Sequence, residues 1–311
     1  MSALDDPRST REPAGSIDPP ARHDRPAGGF RAWTARRPIT AFLLLAVPLG
    51  WVVLGVPALT HHGVIPGGRL PAEVFALAAT VLVMLPAALW VVSVTEGRAG
   101  VRALLSRTFR WRFGPGWWIA VLIALPVTSV AVGVAQGRSV ATGDLLPILV
   151  REVPLMLLPV VLVNMWEETV WAGFVQTRLE RRHGLVWAAA LTAIAFAGIH
   201  LPMLLADDVS TSAVVGAFGF LLVAALLVRL MIGVFLRATA GSVLAVAVLH
   251  GSWNGSSGED GLVDALLSGG QAVLPALVAV VLVTAAATAV VRPELTRPSR
   301  DGDRAAAGSR S

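Results

Sequence analysis

The sequence predicts an all-α membrane protein: a bundle of about eight transmembrane helices between disordered polar tails. Three observations carry this. Of 311 residues, 55% are hydrophobic and only 14% are charged, against about 25% charged in a soluble domain. Mean hydropathy is +0.70. The apolar residues fall in runs of about 20, the length that crosses a hydrocarbon layer about 30 Å thick as a helix. Backbone groups in lipid must bond within their own segment, so these runs are expected to be helical.

Residues 1–37 are polar and rich in Pro, Arg, Asp and Gly; they cannot bury a core and are expected to form a disordered cytoplasmic tail. Residues 292–311 are expected to form a second one. Between them, 38–291 is the transmembrane helical domain. Its apolar segments are expected near 39–58, 71–94, 117–136, 154–177, 185–204, 211–236, 240–256 and 271–291, the seventh being the shortest. The stretch 98–113 mixes Arg with Leu, Val, Phe and Trp, and reads equally as a helix lying on the membrane surface or as a basic loop. His61 and His62 fall in a short outer loop and read as solvated surface, and Arg151 and Glu152 read as an ion pair or a headgroup contact.

Charge sets the expected orientation. Arg98, Arg102, Arg107, Arg110 and Arg112 occupy one loop, and Arg178, Arg181 and Arg182 another. Arg229 and Arg237 are assigned to the flanks of the next inside turn. The alternate loops carry Asp207 and Asp208, or Glu259, Asp260 and Asp264. The positive-inside rule then puts both termini in the cytoplasm of a cell whose inner or plasma membrane holds the protein. Without Cys there is neither a disulfide framework nor a thiolate metal site. The net charge of +5 suits a lipid bilayer rather than nucleic acid, because no basic run is interleaved with stacking aromatics. No internal repeat suggests a transporter built from two halves.

The informative residues are ionisable ones far from water. Such a side chain at mid-membrane costs about 2.5–3.5 kcal/mol on insertion scales and usually marks function. Glu167 and Glu168 lie inside the fourth segment, pointing to neighbouring sectors about 100° apart. Two carboxylates close together in a low dielectric cannot both ionise easily, which sets up one as acid and one as base. Asn164, three and four positions earlier, can share their face. His200 sits near the end of the fifth segment, one turn after Phe196. His250 and Asn254, four apart, share a face of the seventh. A structural polar patch gluing helices together is the alternative for each motif alone. Together they supply the base, proton shuttle and polar donors that amide hydrolysis needs.

Glu167-Glu168, then Phe196-x-x-x-His200, then His250-x-x-x-Asn254, in that order on separate membrane helices, resembles the CPBP family, the CAAX-protease and bacteriocin-processing intramembrane endopeptidases also called Abi. The resemblance covers about 150–256. It implies an intramembrane endopeptidase acting on a membrane-associated protein or peptide. Glu167, helped by His200, would activate water; His250 and Asn254 would stabilise the oxyanion; Glu168 would hold or protonate a neighbour, or contact substrate. A metal-free glutamate mechanism is favoured, because no pair of ligands lies one helical turn apart as in His-Glu-x-x-His. Zinc on Glu167, His200 and His250 is the alternative. One position departs from the pattern: the arginine that ends the family's first motif is Ala172 here, and Arg178, about 9 Å further along the axis, is poorly placed to replace it. That departure keeps a second reading open, a catalytically silent relative serving as an immunity factor or a membrane scaffold.

Overall fold

The computed structural model describes residues 29–206 and 210–295, the last four by backbone alone. Asp207, Asp208 and the tail residues 1–28 and 296–311 lie outside the described residues. The chain is helical almost throughout, and among the described residues the only β pairing is an isolated bridge between Val140 and Leu267. In order, the helices are α1 (Phe30–Arg36), α2 (Pro38–Leu54), α3 (Val56–His61), α4 (Ala72–Ala78), α5 (Leu85–Thr108), α6 (Pro115–Ala135), α7 (Leu145–Pro159), α8 (Met165–Glu168), α9 (Thr177–His200), α10 (Thr211–Ala238), α11 (Val243–Ser257), α12 (Leu262–Leu266) and α13 (Val273–Leu295). The all-α membrane class is as the sequence predicts. Large apolar side chains such as Leu44, Val52, Leu82, Ile119 and Val127 are exposed on the outside of the bundle, where lipid would cover them.

The eight expected segments are not all separate long helices. Among the described residues, six helices are long and apolar enough to cross a membrane: Pro38–His61, Ala72–Thr108, Pro115–Ala135, Thr142–Leu205, Thr211–Ala238 and Val273–Val291. Two causes account for this. The expected segments 154–177 and 185–204 are not separated by a loop but by Gly184, whose φ of 75° and ψ of 174° turn the chain sharply within α9. Only glycine enters that region without penalty. The seventh segment, α11, has 15 residues, short of the roughly 20 that a full crossing needs.

Gly97 repeats the device (φ 64°, ψ −162°) and divides α5 into an apolar half and a basic arm. The stretch 98–108 is therefore helix rather than loop. The tail boundary expected at 37 needs correction too, because Phe30–Arg36 is helical. Phe30 stacks on Trp33 and Trp90 at 5.8 and 5.6 Å between centroids, and Thr34 is fully buried. The aromatic pair gives this end of the expected tail an apolar face. Arg151 pairs with Glu152 at 2.5 Å. Exposed His62 bonds the Leu205 carbonyl at 2.9 Å through Nε2.

Two apolar cores fill the bundle. One joins α6, α10, α11 and α13 through Val121, Leu125, Met231, Ile232, Val246 and Val280. The other joins α2, α5 and α9 through Phe42, Val91, Trp171, Phe174 and Ile199. The segment carrying the two glutamates runs between them: Met165 and Ala172 belong to the first core, Val170 and Trp171 to the second.

That segment is not a plain α-helix. π turns at Val160–Asn164 and Thr169–Gln176 bracket the four residues of α8. The first begins straight after Pro159, which cannot donate a backbone hydrogen bond and crowds the carbonyl four residues back. Such widened turns recur at functional sites. Against it packs α11 through Gly251, where a Cβ would lie 2.4 Å from Val160 Cγ2 and 3.3 Å from the Met156 carbonyl oxygen. Gly251→Ala is therefore expected to push α11 away from the π turn and destabilise the protein by about 1–3 kcal/mol, as overpacking does. A lowered unfolding temperature in detergent would register it; an unchanged one would show that this approach is not tight.

Candidate active site

Glu168 is fully buried and fully engaged. Arg229, itself 1% exposed, reaches it from α10 as a two-pronged fork, with Nη1 donating to Oε2 and Nη2 to Oε1, both at 2.7 Å. Parallel charge-assisted bonds of this kind are the strong class. His250 Nδ1 lies 2.7 Å from Oε1. An ionised carboxylate only accepts, so Nδ1 carries the proton and donates.

Glu167 differs. Its imidazole neighbours are His200 Nε2 at 3.7 Å and His250 Nδ1 at 3.8 Å, beyond hydrogen-bond reach. It faces a cavity of about 620 Å³ that Asn164, His200, His250 and Asn254 also line. The rest of that cavity is largely apolar, with Leu54, Leu77 and Met84 among its walls. The two neighbouring carboxylates thus have different surroundings. The expectation that they would compete for one proton is modified by Arg229, which supplies a full counter-charge to Glu168.

His200 is held by its own helix. Nδ1 lies 2.7 Å from the Phe196 carbonyl, which can only accept, so the neutral ring carries its proton on Nδ1 and turns an unprotonated Nε2 toward Glu167. Phe196 organises the surroundings. Its ring lies 4.4 Å from that of His200, 5.7 Å from Trp171 and 6.3 Å from His250, and the Arg229 guanidinium sits 4.6 Å above it. Asn254 is exposed and stands at the cavity wall. Asn164 is 3% exposed, and its Oδ1 has no hydrogen-bond partner.

All five candidate residues thus line or adjoin one cavity. Arg229 is the site residue that the sequence reading missed. It was assigned to the flank of a turn, yet it lies well within α10 and is buried. The signal was available, since an arginine within an apolar span of 211–236 is itself a mark of function. Arg178, judged a poor substitute for the missing motif arginine, bonds Glu96 and the Phe174 carbonyl instead.

The zinc alternative names Glu167, His200 and His250. Among the described residues no three His, Asp or Glu side chains are arranged to hold a metal ion. His200 Nδ1 is bonded to the Phe196 carbonyl and His250 Nδ1 to Glu168, and the His250 nitrogen that approaches Glu167 is that same Nδ1.

A carboxylate, two imidazoles and a buried arginine around a cavity, set among apolar helices, define a membrane-embedded polar site suited to proton transfer. Residues 149–256 match the family model described as type II CAAX prenyl endopeptidase Rce1-like. The match covers about a third of the chain and agrees with the resemblance to the CAAX-protease (CPBP) family. No curated protein matches the chain.

Proposed function

We propose that the protein is an intramembrane endopeptidase that hydrolyses a peptide bond of a membrane-associated protein or peptide, with Glu167 as general base. The observation that carries this is the gap between Glu167 Oε1 and His200 Nε2. Two acceptors 3.7 Å apart are too far for a direct bond, but a water between them can donate one hydrogen to each. Its lone pair is then free for the scissile carbonyl. As the water oxygen bonds the carbonyl carbon, its proton passes to Glu167 and the carbonyl π electrons move onto oxygen. A protonated His250, its charge supported by the Glu168 carboxylate, and the Asn254 amide stabilise that oxyanion. Collapse expels the amine, which takes the proton from Glu167. Glu168 does not exchange protons in this scheme; it is a positioning residue that fixes His250.

The apolar walls suit a substrate held next to the bilayer, and the similarity to a CAAX prenyl endopeptidase model points to peptides with a prenyl anchor. Both termini are assigned to the cytoplasm of the inner or plasma membrane. The α5 arm and the start of α9 support this, because they gather more arginines than carboxylates at one end of the bundle. The test is a comparison of membrane-protein termini in cells carrying wild-type or Glu167→Ala protein. New termini that depend on Glu167 are expected; identical terminal profiles, with both proteins inserted, would defeat the reading.

No step is assigned to a metal. Purified protein is expected to hold far less than one zinc per chain and to cleave equally before and after chelation. Stoichiometric zinc with chelator-sensitive cleavage would overturn that mechanism while leaving the endopeptidase reading intact.

A further inference from the structure

Away from the site, a second cavity of about 630 Å³ opens between the α5 arm, α9, the α10–α11 turn and α13, lined by Arg107, Thr177, Glu180, Arg181, Arg237 and Gly241 among others. Its charge is unbalanced. Arg237 is neutralised by Glu180 at 2.5 Å. Arg107 spends its donors on neutral acceptors only: the Gly241 and Gly173 carbonyls at 3.1 and 3.3 Å, and Thr177 Oγ1 at 3.1 Å. Arg181 has no carboxylate partner among the described residues. Arg110, Arg178 and Arg181 all lie within electrostatic range of Arg107, and Arg178 alone of these three is paired, to Glu96. Five guanidiniums therefore meet two carboxylates, an excess of three positive charges.

The cavity is also built, not merely bordered. Gly241 sits at φ 78°, and a Cβ there would come within 3.3 Å of Arg107 Nε, so the left-handed glycine turn clears the space in which Arg107 lies flat. The position along the bundle is specific as well. Here α10 ends at Ala238, α11 begins at Val243 and α13 nears its end past Val291. Helix ends at one level mark the boundary between hydrocarbon and water, where headgroups lie. Buried Leu236 and Val291 give the cavity an apolar floor beside the arginines.

We infer that this cavity binds the phosphodiester headgroup of an anionic phospholipid, with Arg107 and Arg181 on the phosphate and Leu236 and Val291 against the acyl chain. Basic pockets between membrane helices are suited to such headgroups, and guanidiniums match phosphate oxygens in geometry as well as charge. The inference does not depend on the proposed protease activity.

The test is thermal unfolding of the purified full-length protein in neutral detergent micelles, doped with phosphatidylglycerol or phosphatidylcholine, or supplemented with inorganic phosphate. Phosphatidylglycerol is expected to raise the unfolding temperature by about 3–5 °C, as ligand binding to the folded state does, and the other two to leave it unchanged. Arg181→Gln, an exposed position whose loss breaks no hydrogen bond, is expected to remove at least half of that shift. Arg102→Gln, on the same arm but outside the cavity, is expected to keep it. An equal shift with phosphatidylcholine would overturn the inference, as would equal loss in the two variants. The same shift with inorganic phosphate would overturn the lipid assignment in favour of a soluble anion.

Discussion

Glu167→Gln is expected to lower kcat for cleavage by about 10²- to 10⁴-fold, the range that a positioned general base contributes, while the protein folds and inserts as before. The two halves of this expectation have separate grounds. Gln keeps the shape of the side chain but has no basic oxygen, so the water held between positions 167 and 200 can no longer lose its proton there. Stability is expected to change little, because Glu167 makes no hydrogen bond shorter than 3.5 Å and its nearest partners stand at 3.7 and 3.8 Å. The substitution breaks no formed contact, and the amide can still bond a cavity water. Steady-state cleavage of a membrane-anchored peptide by reconstituted protein, together with unfolding in detergent, reads both. KM is expected to stay within about threefold, since the base contributes in the transition state rather than in binding. Retained kcat would remove Glu167 from the reaction. Lost kcat together with an unfolding temperature lowered as far as in Gly251→Ala would show that its role is structural.

How far the sequence revealed this differs between fold and site. The membrane class follows from apolar runs, which report the solvent directly. Their boundaries are harder to read, because a single left-handed glycine such as Gly184 can turn a helix where hydropathy suggests a loop. The candidate residues were legible because a carboxylate or imidazole in an apolar run is expensive and stands out. Their division of labour was not. Glu167 and Glu168 are adjacent and chemically identical in the sequence. What separates them is a guanidinium 61 positions away along the chain, on a helix with no local tie to theirs. The π turns on either side of α8 were equally hidden, since hydrophobic periodicity over so few residues does not distinguish a widened turn from an ordinary one.

Arg229→Ala is expected to be the most destabilising of the single substitutions considered, by about 3–5 kcal/mol, the cost of leaving one member of a buried ion pair without the other. Glu168 would then keep only His250, and the imidazole would be drawn out of line. Activity is therefore expected to fall with stability, which by itself does not separate support from positioning. Two further variants do. In Arg229→Met/Glu168→Leu the buried charge is removed altogether; replacing a buried pair by apolar side chains is often neutral or stabilising, so folding is expected to recover while cleavage stays low, because His250 has lost its carboxylate. The second variant uses the position where this chain departs from the CPBP motif it resembles. Ala172 is one helical turn beyond Glu168 and fully buried, the place from which the motif arginine would reach that carboxylate. With Arg229 shortened to Ala, the space its guanidinium occupied becomes open to a side chain from 172. Ala172→Arg/Arg229→Ala is accordingly expected to regain at least half of the lost stability and a measurable part of the cleavage rate. Ala172→Arg alone, with Arg229 still in place, is expected to destabilise, because two guanidiniums would compete for one carboxylate. If the double variant is no better than Arg229→Ala, then Arg229 is not a relocated motif arginine, and the charge on Glu168 is balanced in this protein by a different design.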